Sequence, residues 1–242
     1  MQCEPLYNIK ACVFDAYGTL FDFTSAAVAA RDELGDDWPA LADLWRQKQL
    51  QYTWLRGLGG HHADFWQVTG DALDFSLATL QLEHPGLRQR LMDLYLRLST
   101  YPEVDRMLRR LKEDGMKLAI LSNGSPAMLA ALVRNSGLDE VFDAVLSVEE
   151  VGVFKPHPSV YALATRRLEF APADICFLSS NGWDAFSAKA FGFRVLWCNR
   201  FAQAAERIPA TPDGEIGDLS SLPDLVFSAS TAISGKPTLL PA

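Results

Sequence analysis

Five short runs of the chain are apolar at nearly every position, and this pattern is the first guide to its fold. The runs cover residues 9–14, 117–122, 144–148, 174–179 and 194–198. Continuous apolar runs of this length are typical of strands that are covered on both faces of a sheet. Between the later runs, residues 102–115 and 125–137 carry helix start and stop signals, and residues 158–169 space their apolar positions by three and four. This alternation of strand and helix predicts a parallel α/β sheet with right-handed crossovers.

The stretch from residue 21 to residue 98 has a different pattern. It contains helix-like pieces and lacks a convincing strand. The simplest interpretation is a helical insertion after the first strand, which gives an α/β core of residues 1–20 and 99–242 and a helical cap domain of residues 21–98. At the end of the chain, residues 228–242 are rich in small residues, proline and glycine, so we expect this tail to be poorly ordered.

The composition and net charge indicate which kinds of molecule the protein is expected to bind and where in the cell it is expected to lie. The 242 residues suffice for one or two domains, and the net charge of −8 argues against a nucleic-acid partner and requires a local cationic pocket for any anionic substrate. Glu4 and Lys10 interrupt any early apolar run, and no apolar stretch is long enough to span a bilayer, so we expect neither a signal peptide nor a membrane partner. The four cysteines show no metal-binding spacing, which fits the reducing cytoplasm.

Polar and charged side chains follow four of the predicted strands at the point where each strand ends. Asp15 ends the first strand, Ser122 and Asn123 end the second, Lys155 follows the third in GVFKPHP, and SSNGWD, with Asp184 as its last residue, ends the fourth. The carboxyl ends of parallel strands meet at one edge of the sheet, where open α/β sheets bind ligands. This ordered set of two carboxylates, a lysine and a hydroxyl with an amide predicts a catalytic site.

With these residues the chain resembles the haloacid dehalogenase superfamily. DAYGT at 15–19, LSNG at 121–124, the lysine of FKP at 154–156 and SSNGWD at 179–184 match its four ordered motifs. The resemblance covers roughly residues 9–200, and the helical stretch lies where the family places its cap. It implies a Rossmann-like parallel sheet core with an inserted helical cap domain.

Two departures from the phosphatase branch of that superfamily bear on the reaction. The phosphatases typically have a second aspartate two residues after the first, which protonates the leaving group, and here that position holds Tyr17, which cannot serve as a low-pKa acid. They also carry acidic residues in the fourth motif, where SSNGWD offers Asp184 alone. Because Mg²⁺ prefers several oxygen ligands, we expect no metal ion and no other cofactor.

A halide leaving group accounts for both departures. Halide is a weak base that departs without a proton, and a metal ion on Asp15 would weaken that carboxylate as a nucleophile toward carbon. The nearest resemblance is then to the L-2-haloacid dehalogenase branch, which implies hydrolysis of (S)-2-haloacids to (R)-2-hydroxyacids and halide. On this interpretation Asp15 attacks C2 and forms a covalent ester, and Asp184 activates the water that hydrolyses it. Lys155 keeps the Asp15 carboxylate ionised, and Thr19 supports that carboxylate through its hydroxyl.

The same resemblance implies a halide site and a substrate pocket. LWRQKQLQYTWLR at 44–56 is similar to that branch's cap helix, whose arginine accepts the departing halide, and the matching residue is Arg46. A guanidinium is permanently charged and stabilises the halide through charge-assisted hydrogen bonds worth about 1.5–3 kcal/mol each. Asn123 matches a second halide contact of that branch, and Trp183 matches an aromatic edge of its pocket. In the expected mechanism Ser122 binds the substrate carboxylate, and Ser179 and Asn181 position the water. Tyr17 is expected to be a pocket wall, Tyr161 to form a hydrogen bond near the site, and three further residues to be packing or pocket wall: Gln47, Leu50 and Phe65.

Simpler explanations stay open for several of these residues. Asp184 could cap the helix that follows it, Arg46 could be one of several solvated helix cations, and Tyr161 could be a core tyrosine. His61 and His62 are adjacent in a glycine-rich stretch, and no further ligands stand at metal-binding spacing, so we interpret them as loop residues and not as a metal pair.

Two other functions compete with dehalogenation. One is a magnesium-dependent phosphatase of the same superfamily, which Tyr17 and the SSNGWD block disfavour. The other is a non-catalytic binding protein with the same fold, which is disfavoured because every expected catalytic position is filled. Dimerisation is common in the L-2-haloacid dehalogenase branch, so a homodimer is one expectation, although nothing in the sequence locates its interface.

Overall fold

The computed structural model describes residues 3–82 and 84–228, and a parallel sheet is its central element. The strands are β1 (Leu6–Tyr7), β2 (Ala11–Phe14), β3 (Lys117–Ser122), β4 (Ala144–Ser147), β5 (Ile175–Ser179), β6 (Arg194–Cys198), β7 (Gly214–Ile216) and β8 (Val226–Phe227). Six of them form one sheet in the order β4-β3-β2-β5-β6-β7, with every neighbouring pair parallel. β1 and β8 pair separately, also in parallel. The five strands predicted from apolar runs are confirmed, as is the α/β fold class.

Helices connect the strands and fill the long segment after β2. They are α1 (Ser25–Ala29), α2 (Arg31–Leu34), α3 (Trp38–Gly59), α4 (Phe65–Leu80), α5 (Leu87–Tyr95), α6 (Val104–Glu113), α7 (Pro126–Asn135), α8 (Pro158–Leu168) and α9 (Gly182–Phe191). The first five lie in the stretch predicted to be a helical insertion, and the last four alternate with strands as the sequence pattern indicates. The division into a core and a cap domain of residues 21–98 stays a prediction.

The order of the strands fixes where a site can form. The chain runs from β2 outward through β3 and β4, then returns to the other side of β2 for β5, β6 and β7. Every residue of β2 and β5 is buried, because both strands lie in the middle of the sheet. At such a reversal of direction the loops after the central strands separate and leave a crevice at the carboxyl edge. Asp15 follows β2 at this point, and its backbone N–H donates to the Leu178 carbonyl of β5 at 2.9 Å.

Two sequence-based expectations concern membranes and the end of the chain. No helix among residues 3–82 and 84–228 is long and apolar enough to cross a bilayer. The tail expected to be poorly ordered, residues 228–242, lies outside the described residues from position 229 onward.

Candidate active site

The Asp15 carboxylate is buried at the crevice and held from three directions. Its Oδ1 accepts a hydrogen bond from Lys155 Nζ at 3.1 Å. Its Oδ2 accepts from Asn181 Nδ2 at 2.9 Å and from the Thr19 hydroxyl at 3.3 Å. Charge-assisted hydrogen bonds of this kind stabilise the ionised carboxylate and restrict its rotation. The three donors come from three different loops at the carboxyl edge of the sheet, as the sequence predicts for this edge.

Lys155 is a buried cation shared by two carboxylates. Its side chain is 1% exposed, and Nζ lies 3.1 Å from Asp15 Oδ1 and 2.8 Å from Asp184 Oδ2. Burial alone lowers the pKa of Lys155, but attraction to Asp15 and Asp184 outweighs burial, and the pKa is raised above the ordinary lysine value. Lys155 is therefore an ammonium ion at neutral pH, and in this charged form it can hold the Asp15 carboxylate in place.

Asp184 is fully buried and has the environment of a basic carboxylate. Burial raises its pKa and Asp15 raises it further, while Lys155 and a hydrogen bond from Tyr161 oppose the increase without cancelling it. The Tyr161 hydroxyl donates to Asp184 Oδ1 at 2.8 Å. Asp184 lies in the first turn of α9, whose N-cap is Asn181, and its side chain bonds to Lys155 and Tyr161 instead of capping the helix. A carboxylate with a raised pKa is the better general base, so this geometry suits activation of water.

The loops after β2 and β5 are tied together beneath Asp15. The Thr19 hydroxyl donates to Asp15 and accepts from the Ser180 backbone N–H at 2.8 Å. The Ser179 hydroxyl accepts from the Asn181 backbone N–H at 3.2 Å and so fixes the turn that carries the Asn181 amide. Because these polar groups are satisfied locally, the turn presents Asn181 to Asp15 in one orientation.

Arg46 reaches this site from α3. Its Nη2 donates to Asn181 Oδ1 at 3.1 Å, and its guanidinium lies over the Phe23 ring, 4.9 Å from the centroid. Asn181 thus links Arg46 and Asp15, accepting from the first and donating to the second. The structure therefore places Arg46 beside the catalytic candidates and not on a solvated helix face.

Ser122 and Asn123 lie at the end of β3, where their side chains shape the loop. The Ser122 hydroxyl accepts from the Gly124 backbone N–H at 3.1 Å, and Asn123 Oδ1 accepts from the Lys155 backbone N–H at 3.0 Å. Within the described part of the chain, neither side chain hydrogen-bonds to Asp15 or Arg46. Their roles toward the substrate carboxylate and the halide stay predictions.

Tyr17 and Phe65 form an aromatic wall next to Asp15. The two rings are 5.5 Å apart, and both residues are buried. Burial raises the pKa of Tyr17 well above the ordinary tyrosine value, so its hydroxyl remains protonated. That hydroxyl has no hydrogen-bond partner among the described residues. A Cβ at Gly124 would approach the Leu129 side chain to 2.9 Å and the Tyr17 ring to 3.0 Å, so glycine lets this backbone lie close to both side chains.

A cleft of about 570 Å³ opens onto Arg46 and Asn181 from solvent. Leu50, which is half-buried, Gln47, which is exposed, and Trp183 line it as well. Trp183 packs edge-to-face against Trp54 of α3, with ring centroids 5.4 Å apart. Gln47, Leu50 and Trp183 thus line the same cleft as Arg46 and Asn181, and their roles toward a substrate stay predictions.

Three residues at the site were missed by the sequence analysis. Gln49 accepts a hydrogen bond from Arg46 Nη1 at 2.8 Å, and the Tyr95 ring stacks on Tyr17 at 5.4 Å. Arg200 donates to the Thr19 carbonyl at 2.9 Å. Tyr95 and Arg200 lie outside the quoted motifs, and Gln49 lies inside the 44–56 stretch without being distinguished from its neighbouring glutamines. Each is recognisable only once the helices and the last loop are folded against the sheet.

The described residues contain no group of three or more His, Cys, Asp or Glu side chains that could hold a metal ion. Lys155 Nζ lies between the two buried carboxylates and forms an ion pair with each, Asp15 and Asp184. Of the two histidines interpreted as loop residues, His62 bonds to Glu149 at 2.9 Å and packs on the Phe154 ring at 4.8 Å. His62 is therefore a contact between the helical stretch and the sheet loops.

The fold and this group of side chains at the carboxyl edge of a parallel sheet are typical of one class of hydrolases. The chain belongs to the haloacid dehalogenase-like hydrolase family, whose model matches residues 9–192. The expected motifs at 15–19, 121–124, 154–156 and 179–184 all lie within that match.

Several curated proteins that are similar in sequence to this chain are named as dehalogenases. It is 44% identical over 220 residues to (S)-2-haloacid dehalogenase 1 of Pseudomonas sp. (strain CBS-3), covering 90% of this chain and 97% of the relative. It is 49% identical over 198 residues to (S)-2-haloacid dehalogenase of Xanthobacter autotrophicus, covering 81% of this chain and 78% of the relative. Among solved structures, L-2-haloacid dehalogenase from Xanthobacter autotrophicus with chloropropionic acid covalently bound matches with a TM-score of 0.84 and 41% identity, covering 95% of this chain and 100% of that one.

Proposed function

We propose that this chain hydrolyses (S)-2-haloacids to (R)-2-hydroxyacids and halide through a covalent ester on Asp15. One observation carries the proposal: a single amide, Asn181, contacts both the Asp15 carboxylate and the Arg46 guanidinium, so nucleophile and halide acceptor lie side by side. Tyr17 stands where a leaving-group acid would stand, and its hydroxyl remains protonated at neutral pH. The names of the relatives support the substrate class and its handedness.

The first step is displacement at carbon. One oxygen of the ionised Asp15 attacks C2 of the haloacid from the side opposite the halogen, the carbon–halogen bond breaks, and the halide takes the bonding pair toward Arg46. C2 inverts, and an ester joins Asp15 to the substrate. Lys155 and Asn181 hold the carboxylate in one orientation, and such positioning contributes up to about 7–11 kcal/mol in the best cases.

The second step is hydrolysis of that ester. Asp184 removes a proton from a water molecule, which attacks the carbonyl carbon of the Asp15 ester. The bond between that carbon and the substrate oxygen then breaks, and the departing oxygen takes the proton back from Asp184 to give the 2-hydroxyacid. The Asp15 carboxyl group releases the second proton of the water to solvent as its carboxylate reforms. The raised pKa of Asp184 favours this role. Tyr161 and Lys155 fix both oxygens of Asp184, so its orientation toward the ester does not depend on the substrate.

Halide release tests the function directly. We expect the purified protein to release halide from 2-chloropropionate and 2-bromopropionate at rates that EDTA does not change, and Asp15→Asn to abolish turnover. In a single turnover in ¹⁸O-labelled water, the label should enter Asp15 and not the first product molecule. Release of phosphate that EDTA abolishes would instead identify a phosphatase, and direct labelling of the product would mean that water attacks C2.

The setting and assembly of the protein belong to the same proposal. A reducing cytoplasm is supported by the four free cysteines, three of which are buried.

A homodimer is supported by apolar side chains exposed on α3, where Leu55 is 58% and Leu58 is 88% exposed. Sedimentation of the wild type and of Leu58→Glu tests the dimer, since a charge in its interface should shift the distribution toward monomer.

A further inference from the structure

Gln49 uses both ends of its side-chain amide inside the helical stretch. It follows Arg46 by three positions on α3 and is 1% exposed. Its Oε1 accepts from Arg46 Nη1 at 2.8 Å, and its Nε2 donates to the Thr69 hydroxyl at 2.7 Å. The Tyr95 hydroxyl lies within hydrogen-bond distance of both amide atoms, 3.0 Å from Nε2 and 3.2 Å from Oε1. These partners come from α3, α4 and the end of α5.

The orientation of this amide is fixed by the chemistry of its partners. A guanidinium has donors only, so the atom of Gln49 that faces Arg46 must be the oxygen. The Thr69 hydroxyl donates its own proton to the Phe65 carbonyl at 2.6 Å, so it accepts from the Gln49 nitrogen. A flipped amide would place N–H donors against the N–H donors of Arg46 and would lose the hydrogen bond from Gln49 to the Thr69 hydroxyl.

We propose that Gln49 is a positioning residue for Arg46, with Thr69 and Tyr95 holding its amide in place. The guanidinium is then fixed by Gln49 on Nη1 and Asn181 on Nη2, and by the Phe23 ring against its face. A halide is a single atom, so its stabilisation depends on where the remaining N–H bonds point, and preorganised donors stabilise developing charge best. This inference rests on the proposed dehalogenase function.

The two-step reaction allows a positioning role to be separated from a structural one. Arg46 acts while the carbon–halogen bond breaks, and kcat/KM reports the steps up to halide departure. Chloride is a poorer leaving group than bromide and depends more on stabilisation of its charge. Loss of Arg46 orientation therefore lowers kcat/KM more for 2-chloropropionate than for 2-bromopropionate, whereas a general loss of folded protein lowers both equally.

Three variants test the proposal, with kcat/KM on both substrates and thermal unfolding as measurements. Gln49→Met keeps the size of the side chain and removes its hydrogen bonds, and Gln49→Glu keeps an acceptor but places a negative charge against Arg46. Gln51→Met is the matched control, because Gln51 is an exposed glutamine of the same helix. We expect Gln49→Met to lower kcat/KM for 2-chloropropionate by about tenfold, with a smaller loss for 2-bromopropionate, and Gln51→Met to match the wild type.

Two comparisons decide the result. In an Arg46→Lys background, Gln49→Met should cost little more, because its effect passes through the guanidinium. The proposal would be overturned if Gln49→Met folded and kept the kcat/KM of the wild type. It would also be overturned if Gln49→Met lowered kcat/KM equally for both substrates and this loss were additive with the loss caused by Arg46→Lys. If Gln49→Met does not fold, Gln49→Glu decides in its place, where a larger loss on the chloride substrate supports the proposal and unchanged kinetics contradict it. A wild type that releases no halide refutes the proposed function itself, without any variant.

Discussion

Replacing Lys155 by methionine is the most informative perturbation of the buried charge cluster. Lys155 is the shared counter-ion of Asp15 and Asp184, at 3.1 and 2.8 Å, and all three residues are buried. Methionine keeps much of the side-chain volume, so the change chiefly removes the charge. It leaves two carboxylates in one buried site, where their mutual repulsion and desolvation disfavour double ionisation.

The expected cost follows from this geometry. Removing one partner of a buried ion pair typically destabilises a protein by about 3–5 kcal/mol, because the remaining charge is left uncompensated. In the variant, burial without a cation makes the folded carboxyls bind protons more readily than the unfolded ones, so the stability of the variant rises as the pH falls. The difference in unfolding free energy from the wild type should therefore be smaller at about pH 5 than at about pH 7. Halide release at neutral pH should fall by about 100-fold, since the nucleophile loses a charge-assisted hydrogen bond.

Lys189→Met provides the matched control for this experiment. Lys189 also bonds to an aspartate at 2.8 Å, but it is partly exposed, and its partner Asp213 keeps hydrogen bonds from Arg194 and from the Val195 backbone. Surface pairs of this kind contribute about 0–1 kcal/mol. Urea unfolding at the two pH values and halide release, measured on both variants, give the comparison. If Lys155→Met lost no more stability than Lys189→Met and retained full activity, the cluster would not be what orients Asp15.

Two further substitutions address single hydrogen-bonding groups. Tyr161→Phe removes a hydrogen bond that lowers the pKa of Asp184, so this pKa should rise further. Because a general base must be deprotonated, the acid limb of the pH profile of kcat should then move to higher pH. An acid limb at the same pH as in the wild type would exclude Asp184 as that base. Tyr17→Phe removes a buried hydroxyl that has no hydrogen-bond partner among the described residues. The free energy of unfolding should therefore stay equal or increase by about 1 kcal/mol, and the variant should still release halide. Loss of activity in a folded variant would mean that the hydroxyl contacts the reacting groups.

The catalytic candidates could be predicted from the sequence because a parallel sheet places them. Asp15, Lys155 and Asp184 are up to 169 positions apart, yet each follows a strand of the same sheet, and the carboxyl ends of β2, β4 and β5 share one edge. The strand pattern alone therefore brings them together. Short edge elements were not predictable in this way. β7 has three residues, one of them buried, and it pairs with β6 only because the loop after Cys198 returns to it.

Residues that act through side-chain orientation were beyond the sequence pattern. The stretch from Arg46 to Gln51 contains three glutamines at alternating positions, and nothing in their chemistry distinguishes Gln47, Gln49 and Gln51. The rotation of α3 against α4 decides that Gln49 is buried beside Arg46 while the other two are exposed. Gln47 was predicted to be packing or pocket wall, and in the structure its exposed side chain lines the cleft. A glutamine that orients a cation is recognised by the hydrogen bonds that its amide oxygen and nitrogen make. For Gln49 these bonds involve partners on α4 and α5, which lie 20 and 46 positions further along the chain and are brought close only by folding.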